Sequence, residues 1–163
     1  MSAAGVADPL LVRRFTRAND PHGDWEGAQA VRFEVFVAEQ NVPEENELDP
    51  EDDIAHHWTL YPADVPGAKA AGTVRVYVEE DGTTAHLGRL AVTSAHRGKG
   101  YARVLVRELE LFAANTLRAR RIVLHAQLDK VQFYERHGYE VDDPAIFWEE
   151  GIPHKYMSKT VGA

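Results

Sequence analysis

Cysteine is absent from the 163-residue chain. That excludes disulfides, thiolate metal sites and a cysteine nucleophile, and it suits a reducing compartment. Positive charge is in deficit: 18 Lys and Arg stand against 26 Asp and Glu, a formal net charge of −8. A nucleic-acid partner needs a cationic surface for phosphates, so none is expected. No apolar run approaches the ~20 residues of a membrane span, and no membrane partner is expected. The opening segment MSAAGVADPL has neither a charged start nor a continuous apolar stretch. A secretory signal is therefore not expected, and a cytoplasmic location is. Repeats, low-complexity tracts and long linkers are also missing. With 44% hydrophobic residues, the chain is expected to form one domain over 1–163, residues 1–10 being a loose leader.

What is present alternates between strand and helix patterns. Residues 11–18 alternate weakly and suit an edge strand, and DPHGD (20–24) is turn chemistry. Trp25 to Gln40 has helical spacing, with Asp24 as the expected N-cap. Residues 41–53 form an acidic loop or short helix. Strands are expected at 56–61, 71–80 and 84–93, the last two joined at Asp81-Gly82. These three suit an antiparallel meander. The clearest helix follows Gly100, with Ala102, Leu105, Val106, Leu109, Phe112 and Ala113 on one stripe. A buried strand at 120–127, a short helix ending at Gly138, and strand candidates YEVDD and HKYMSKTV complete the chain. The order predicts an α+β domain whose sheet has a βαβ unit at its centre.

Between the third strand and that helix stands HRGKGYA, residues 96–102. A helix N-terminus leaves about four backbone N–H groups unpaired and attracts anions. Gly98 and Gly100 let a phosphate approach the backbone, while Arg97 and Lys99 add charge. A Walker loop would need Ser or Thr after Lys99, where Gly100 stands. A dinucleotide fingerprint would need a small residue where Arg103 stands, and a preceding strand in a parallel sheet. Coenzyme A, with its pyrophosphate and 3′-phosphate, suits Arg97, Lys99 and Arg103 better. A glycine-rich turn with solvated cations is the alternative.

RGKGYA resembles the coenzyme A motif Arg/Gln-x-x-Gly-x-Gly/Ala of the GNAT superfamily of N-acetyltransferases. RFEVFVAEQNVPEENELDPEDDIAHHW, LGRLAVTSAHRGKGYARVLV, LHAQLDKVQFYERHGYEV and FWEEGIPHKYM are similar to segments of its ElaA/YjcF-like branch, covering most of residues 32–157. The resemblance implies a GNAT fold: a mostly antiparallel sheet of about six or seven strands, a βαβ cofactor unit, and helices on both faces. It implies transfer of an acetyl group from acetyl-CoA to a primary amine of a small molecule or peptide, without a metal, and a possible homodimer. A bulge would splay the strand before the loop, freeing Leu90, Ala91 and Val92 for the pantetheine arm. Gly98, Lys99, Gly100, Tyr101, Ala102, Arg103 and Phe133 join the cofactor site by the same resemblance, and Tyr134 becomes the acid that meets the departing thiolate. Lys130 departs from the family pattern, which has a small alanine there. It either reaches a phosphate of the cofactor or points to solvent.

The base is open among Glu39, His57, Glu149 and His154, all in segments that resemble the branch. Histidine suits the task near neutral pH, whereas a glutamate needs a raised pKa or a water relay. His154, in GIPH, is alternatively a residue that bonds the acidic segment and shapes the pocket. The acidic run 44–53 reads as a solvated loop, or as a rim attracting a cationic amine. Two rivals remain: a metal site from His56, His57, Glu149 and His154, and a non-catalytic acyl-CoA sensor.

Overall fold

The computed structural model describes residues 10–162, so the expected leader lies outside the described residues except for Leu10. Seven strands form one sheet: β1 (Leu11–Phe15), β2 (His56–Tyr61), β3 (Gly72–Val78), β4 (Thr84–Val92), β5 (Arg121–Gln127), β6 (Glu140–Glu149) and β7 (Ile152–Thr160). Their spatial order is β1-β2-β3-β4-β5-β7-β6. Only β4 and β5 run parallel, and every other neighbouring pair is antiparallel. The mostly antiparallel α+β sheet with a central βαβ unit is therefore as the sequence predicts.

Helix α1 (Asp24–Arg32) and helix α3 (Tyr101–Asn115) cover opposite faces. The short helices α2 (Glu44–Glu47) and α4 (Val131–Arg136) flank the open end of the sheet. Leu105, Val106, Leu109 and Ala113 of α3 are fully buried, against Leu60, Val74, Val76, Ile122 and Leu124. At about 1.5–3 kcal/mol per buried aliphatic side chain, this stripe fixes α3 to the sheet. On the other face Ala28 and Val31 are buried, and the Thr59 hydroxyl donates to the Asp24 carbonyl at 3.1 Å.

Three expectations change. The helix predicted over 25–40 has two parts: after Arg32 it widens into a π-helical segment, Phe33–Glu39. Its wider pitch shows in the bond from Gln40 N–H to Val35 O at 3.0 Å, and the side-chain pattern carries no signal for it. Asp24 is not the N-cap. Gly23 holds that position at φ 71°, and the Asp20 carboxylate accepts from the N–H groups of Asp24 and Trp25. Asp24 is drawn inward by the Arg13 fork, 2.9 Å to each oxygen, and by the Tyr61 hydroxyl. β6 also runs well past YEVDD, to Glu149. It meets β7 through Glu150 (φ 51°) and Gly151 (φ 73°), the backbone signature of a tight hairpin turn.

The acidic run is the largest correction. Glu47 and Asp52 are buried rather than solvated, and with Asp49 they meet three arginines. Arg32 donates to Glu47 at 2.6 Å and to Asp52 at 2.8 and 3.1 Å. Arg75 bridges Asp49 and Asp52, and Arg89 reaches Asp49 at 3.1 Å. Three positive and three negative groups thus form a neutral cluster. It ties the 44–53 segment to α1, β3 and β4. Burial pushes the Asp52 carboxyl up, but the bonds to Arg32 and the charge of Arg75 outweigh it and hold the group at about 2.

Candidate active site

The central strands part company midway. β4 and β5 pair only from Thr84↔Arg121 to His86↔Val123. Immediately beyond, β4 bulges against β3: Arg75 pairs Gly88, yet Thr73 pairs Ala91, so β4 carries one extra residue. Arg89 takes the strain of the bulge in a left-handed conformation, φ 53°. Leu90, Ala91 and Val92 then diverge from Leu124–Gln127 and line a cleft of ≈ 1120 Å³. Their side towards β5 has no strand partner, so the expected splay is present.

The cleft leads to the start of α3. Gly98 (φ 79°) and Gly100 (φ 82°) adopt the left-handed conformation that favours glycine, and a Cβ at either would meet nothing within 4 Å. No side chain caps α3. Its first-turn N–H groups therefore have no capping side chain to compete with an anion. A free sheet edge, an uncapped helix and two bare glycines fit an acyl-CoA arm and pyrophosphate. Ala102 lines the cleft, and Lys99 is exposed.

Arg97 is less free than its place in the motif suggests. It forks onto Glu39 at 2.6 and 2.7 Å, while its Nε donates to Val92 O at 3.0 Å. Lys130 and Phe133 line the cleft, Lys130 exposed beside Asp129 at 3.8 Å. Arg103 turns instead into a neighbouring groove with Arg107, Arg136 and Lys159. Tyr134 lines the cleft from α4 and is 7% exposed. Burial pushes its phenol well above the usual tyrosine range, so it stays protonated.

The four base candidates fall apart. His57 is outside the cleft: 1% exposed, stacked on Phe15 at 5.3 Å, with Nε2 donating to Asp52 O at 3.0 Å. Burial pushes its imidazole down to about 4, so it is neutral and sealed. Glu39, Glu149 and His154 do line the cleft. The Arg97 fork holds Glu39 below the usual carboxylate range. A bond from His125 does the same to Glu149, at 2.5 Å. His154 donates from Nδ1 to Ile152 O at 2.7 Å, not to the acidic segment. That segment is reached from the turn, where Asn46 donates to Glu150 at 3.1 Å.

Sequence reasoning missed His125 and His86. Both sit on strands that read as plain apolar or alternating runs, and their convergence depends on pairing that spacing does not reveal. The rival metal set is dispersed: His56 meets Arg14 at 3.0 Å, His57 is sealed, and Glu149 and His154 have the partners above. Among the described residues no group of three or more His, Cys, Asp or Glu side chains is placed to hold a metal ion. Among them too, no helix is long and apolar enough to cross a membrane.

These features find their match among known proteins. A family model described as an acetyltransferase (GNAT) domain covers residues 24–161. The chain belongs to this family of N-acetyltransferases, whose acyl donor is an acyl-CoA. Within it, the chain falls in the ElaA/YjcF-like branch. It is 39% identical over 129 residues to YjcF of Bacillus subtilis, an uncharacterized N-acetyltransferase, covering 79% of this chain and 87% of that protein. An acyl-CoA N-acyltransferase from Pseudomonas aeruginosa superposes with a TM-score of 0.78 at 25% identity, over 93% of this chain and 100% of the other. Escherichia coli ElaA shares the fold, with a TM-score of 0.77 at 22% identity over 93% and 99% of the two chains.

Proposed function

We propose that the protein transfers an acetyl group from acetyl-CoA to a primary amine of a small molecule or peptide by direct attack. Tyr134 serves as the acid for the departing sulfur. The observation that carries this reading is the loss of β4–β5 pairing after His86 and Val123, with Tyr134 lining the opening. Acetyl-CoA supplies an activated thioester. The side of Leu90–Val92 that faces β5, where no strand pairs with it, offers backbone hydrogen-bond partners to its arm and a donor to its carbonyl oxygen. Gly98 to Ala102 offer N–H groups to its phosphates, and Lys99 adds charge. Phe133 and Lys130 border the same path, and Arg103 lies beside it.

Tyr134 holds its proton at Oη because burial disfavours the phenolate, and a protonated phenol can donate to a developing thiolate. The amine has the opposite need. An alkylammonium near pKa 10.4 must lose a proton at neutral pH, which costs about 4–5 kcal/mol. A base or relay in the cleft lowers that barrier.

The test is thiol release from acetyl-CoA with a panel of primary amines, comparing the wild-type chain with Tyr134→Phe. Amine-dependent release that Tyr134→Phe slows supports the reading. Tight CoA binding without release for any amine would instead make the protein an acyl-CoA sensor.

A further inference from the structure

One face of the sheet crosses the opening between β4 and β5 with groups that the reaction above leaves unassigned. Alternation along β5 sends Ile122, Leu124 and Ala126 into the core under α3, so His125 and Gln127 point to the opposite face. His86 shares that face, its ring meeting the His125 ring edge-on at 4.9 Å. Two residues beyond His86 stands Gly88, paired with Arg75. A Cβ at Gly88 would meet only Arg75 Nε, 3.7 Å away. The cleft floor therefore has a notch at Gly88 beside Arg75, and His86 and His125 line the same cleft.

His125 is held firmly at its edge. Nδ1–H donates to Glu149 Oε1 at 2.5 Å, and Phe147 packs edge-on at 5.0 Å. With Nδ1 protonated, a neutral imidazole carries its lone pair on Nε2. The side chain is 32% exposed, towards the cleft it lines. Around it stand Glu149 from β6, Tyr156 and His154 from β7, and His86 from β4 with Glu79 bonded behind at 3.2 Å. Burial holds His86 below the usual histidine range, which leaves Glu149 as the charge bonded to His125. A nitrogen base oriented by a carboxylate at its far nitrogen is the arrangement proton abstraction needs.

We propose that His125 accepts the proton of the attacking amine, with Glu149 as its positioning residue and the Gly88 notch as the seat of the amine nitrogen. This rests on the acetyltransferase reading above. Nε2 takes one proton from the alkylammonium. The freed lone pair forms the new C–N bond to the acetyl carbon as the C–S bond breaks, and Tyr134 gives its proton to the sulfur. Two protons leave the nitrogen in all. The first passes through His125 to solvent, and the second returns through solvent to Tyr134. The products are an amide, a thiol and one proton.

The full-length chain is assayed with acetyl-CoA and four probes: an alkyl monoamine, an alkyl diamine, an aminosugar and an amino-acid amide. His125→Gln should lose roughly 10²–10³-fold in kcat near neutral pH. It should keep CoA-dependent thermal stabilisation and recover partly above about pH 9, as free amine accumulates. Glu149→Gln should lower kcat roughly tenfold with the amine KM and CoA-dependent stabilisation kept, a split that a merely structural role would not give. Gly88→Val should raise the amine KM at least tenfold and leave CoA stabilisation unchanged. If His125→Gln fails to fold, these last two variants decide. An active wild type whose His125→Gln variant keeps its rate and pH profile overturns the role of His125 alone. So does a Glu149→Gln variant whose kcat is unchanged. A wild type that binds CoA yet acetylates no probe overturns the acetyltransferase reading, and this inference with it.

Discussion

Arg97 clasps Glu39 with its two terminal guanidinium nitrogens, at 2.6 and 2.7 Å, at the edge of the cleft. One bond joins a motif cation to a candidate base and changes the reading of both. The arginine is partly neutralised before any phosphate arrives. The carboxylate, held low by its bond to Arg97, is a poor proton acceptor near neutral pH. Glu39→Gln should therefore keep kcat within about threefold and leave the acid limb of the pH–rate profile in place. Both side chains are 42% exposed, so global stability should change by less than about 1 kcal/mol in urea titrations.

The glycine loop makes its own prediction. Gly100→Asp places a carboxylate where a phosphate would bind and should abolish CoA-dependent thermal stabilisation. Gly100 sits at φ 82°, so any side chain there costs roughly 1–2 kcal/mol. Gly100→Asn carries the same backbone cost without the charge. It should retain part of the CoA shift, which separates electrostatics from strain. Equal shifts in wild type and Gly100→Asp would remove the phosphate cradle.

Removing one arginine from the buried cluster should be costly. Arg32→Met leaves Glu47 without its closest cation and Asp52 with Arg75 alone, at about 3–5 kcal/mol in chemical denaturation. A change below about 1 kcal/mol would mean the cluster is dispensable.

Acid should unfold the protein in two stages. His57 is held down to about 4 from 6.5, so the unfolded chain binds its proton first as pH falls. Stability is then lost between about pH 6.5 and 4, by about 3 kcal/mol. Asp52 is held at about 2 from 3.8, so its contribution is present above about pH 4 and lost as pH falls towards 2. Urea midpoints from pH 7 to 4 check the first stage. His57→Asn should flatten that slope, and it should leave the kinetic pH profile unchanged because His57 lies outside the cleft.

Much of the fold was legible because its elements are locally patterned. The α3 stripe, alternation in β3 and β4, and the glycines before α3 each declare themselves within a dozen residues. The cofactor end of the cleft was legible for the same reason, since it is built from one contiguous turn. The acceptor end was not. His125 and Glu149 lie 24 residues apart and meet because β5 and β6 flank the same strand, β7, and their side chains reach across it. The acidic run misled because charge alone does not say whether arginines distant in sequence will close over it. Arg32, Arg75 and Arg89 do so through three separate elements, so Glu47, Asp49 and Asp52 hold the loop in place, with Glu47, Asp49 and Glu51 lining the cleft. The π-helical segment left no trace because widening a helix requires no particular residue.

The most direct measurement follows a labelled acetyl group from acetyl-CoA to an amine, by mass spectrometry, in wild type and Tyr134→Phe. The account predicts label in an amide of at least one primary amine, and roughly 10–10²-fold slower labelling in Tyr134→Phe with CoA affinity kept within about threefold. Label that never leaves the thioester despite tight CoA binding, or an undiminished rate in Tyr134→Phe, would contradict it.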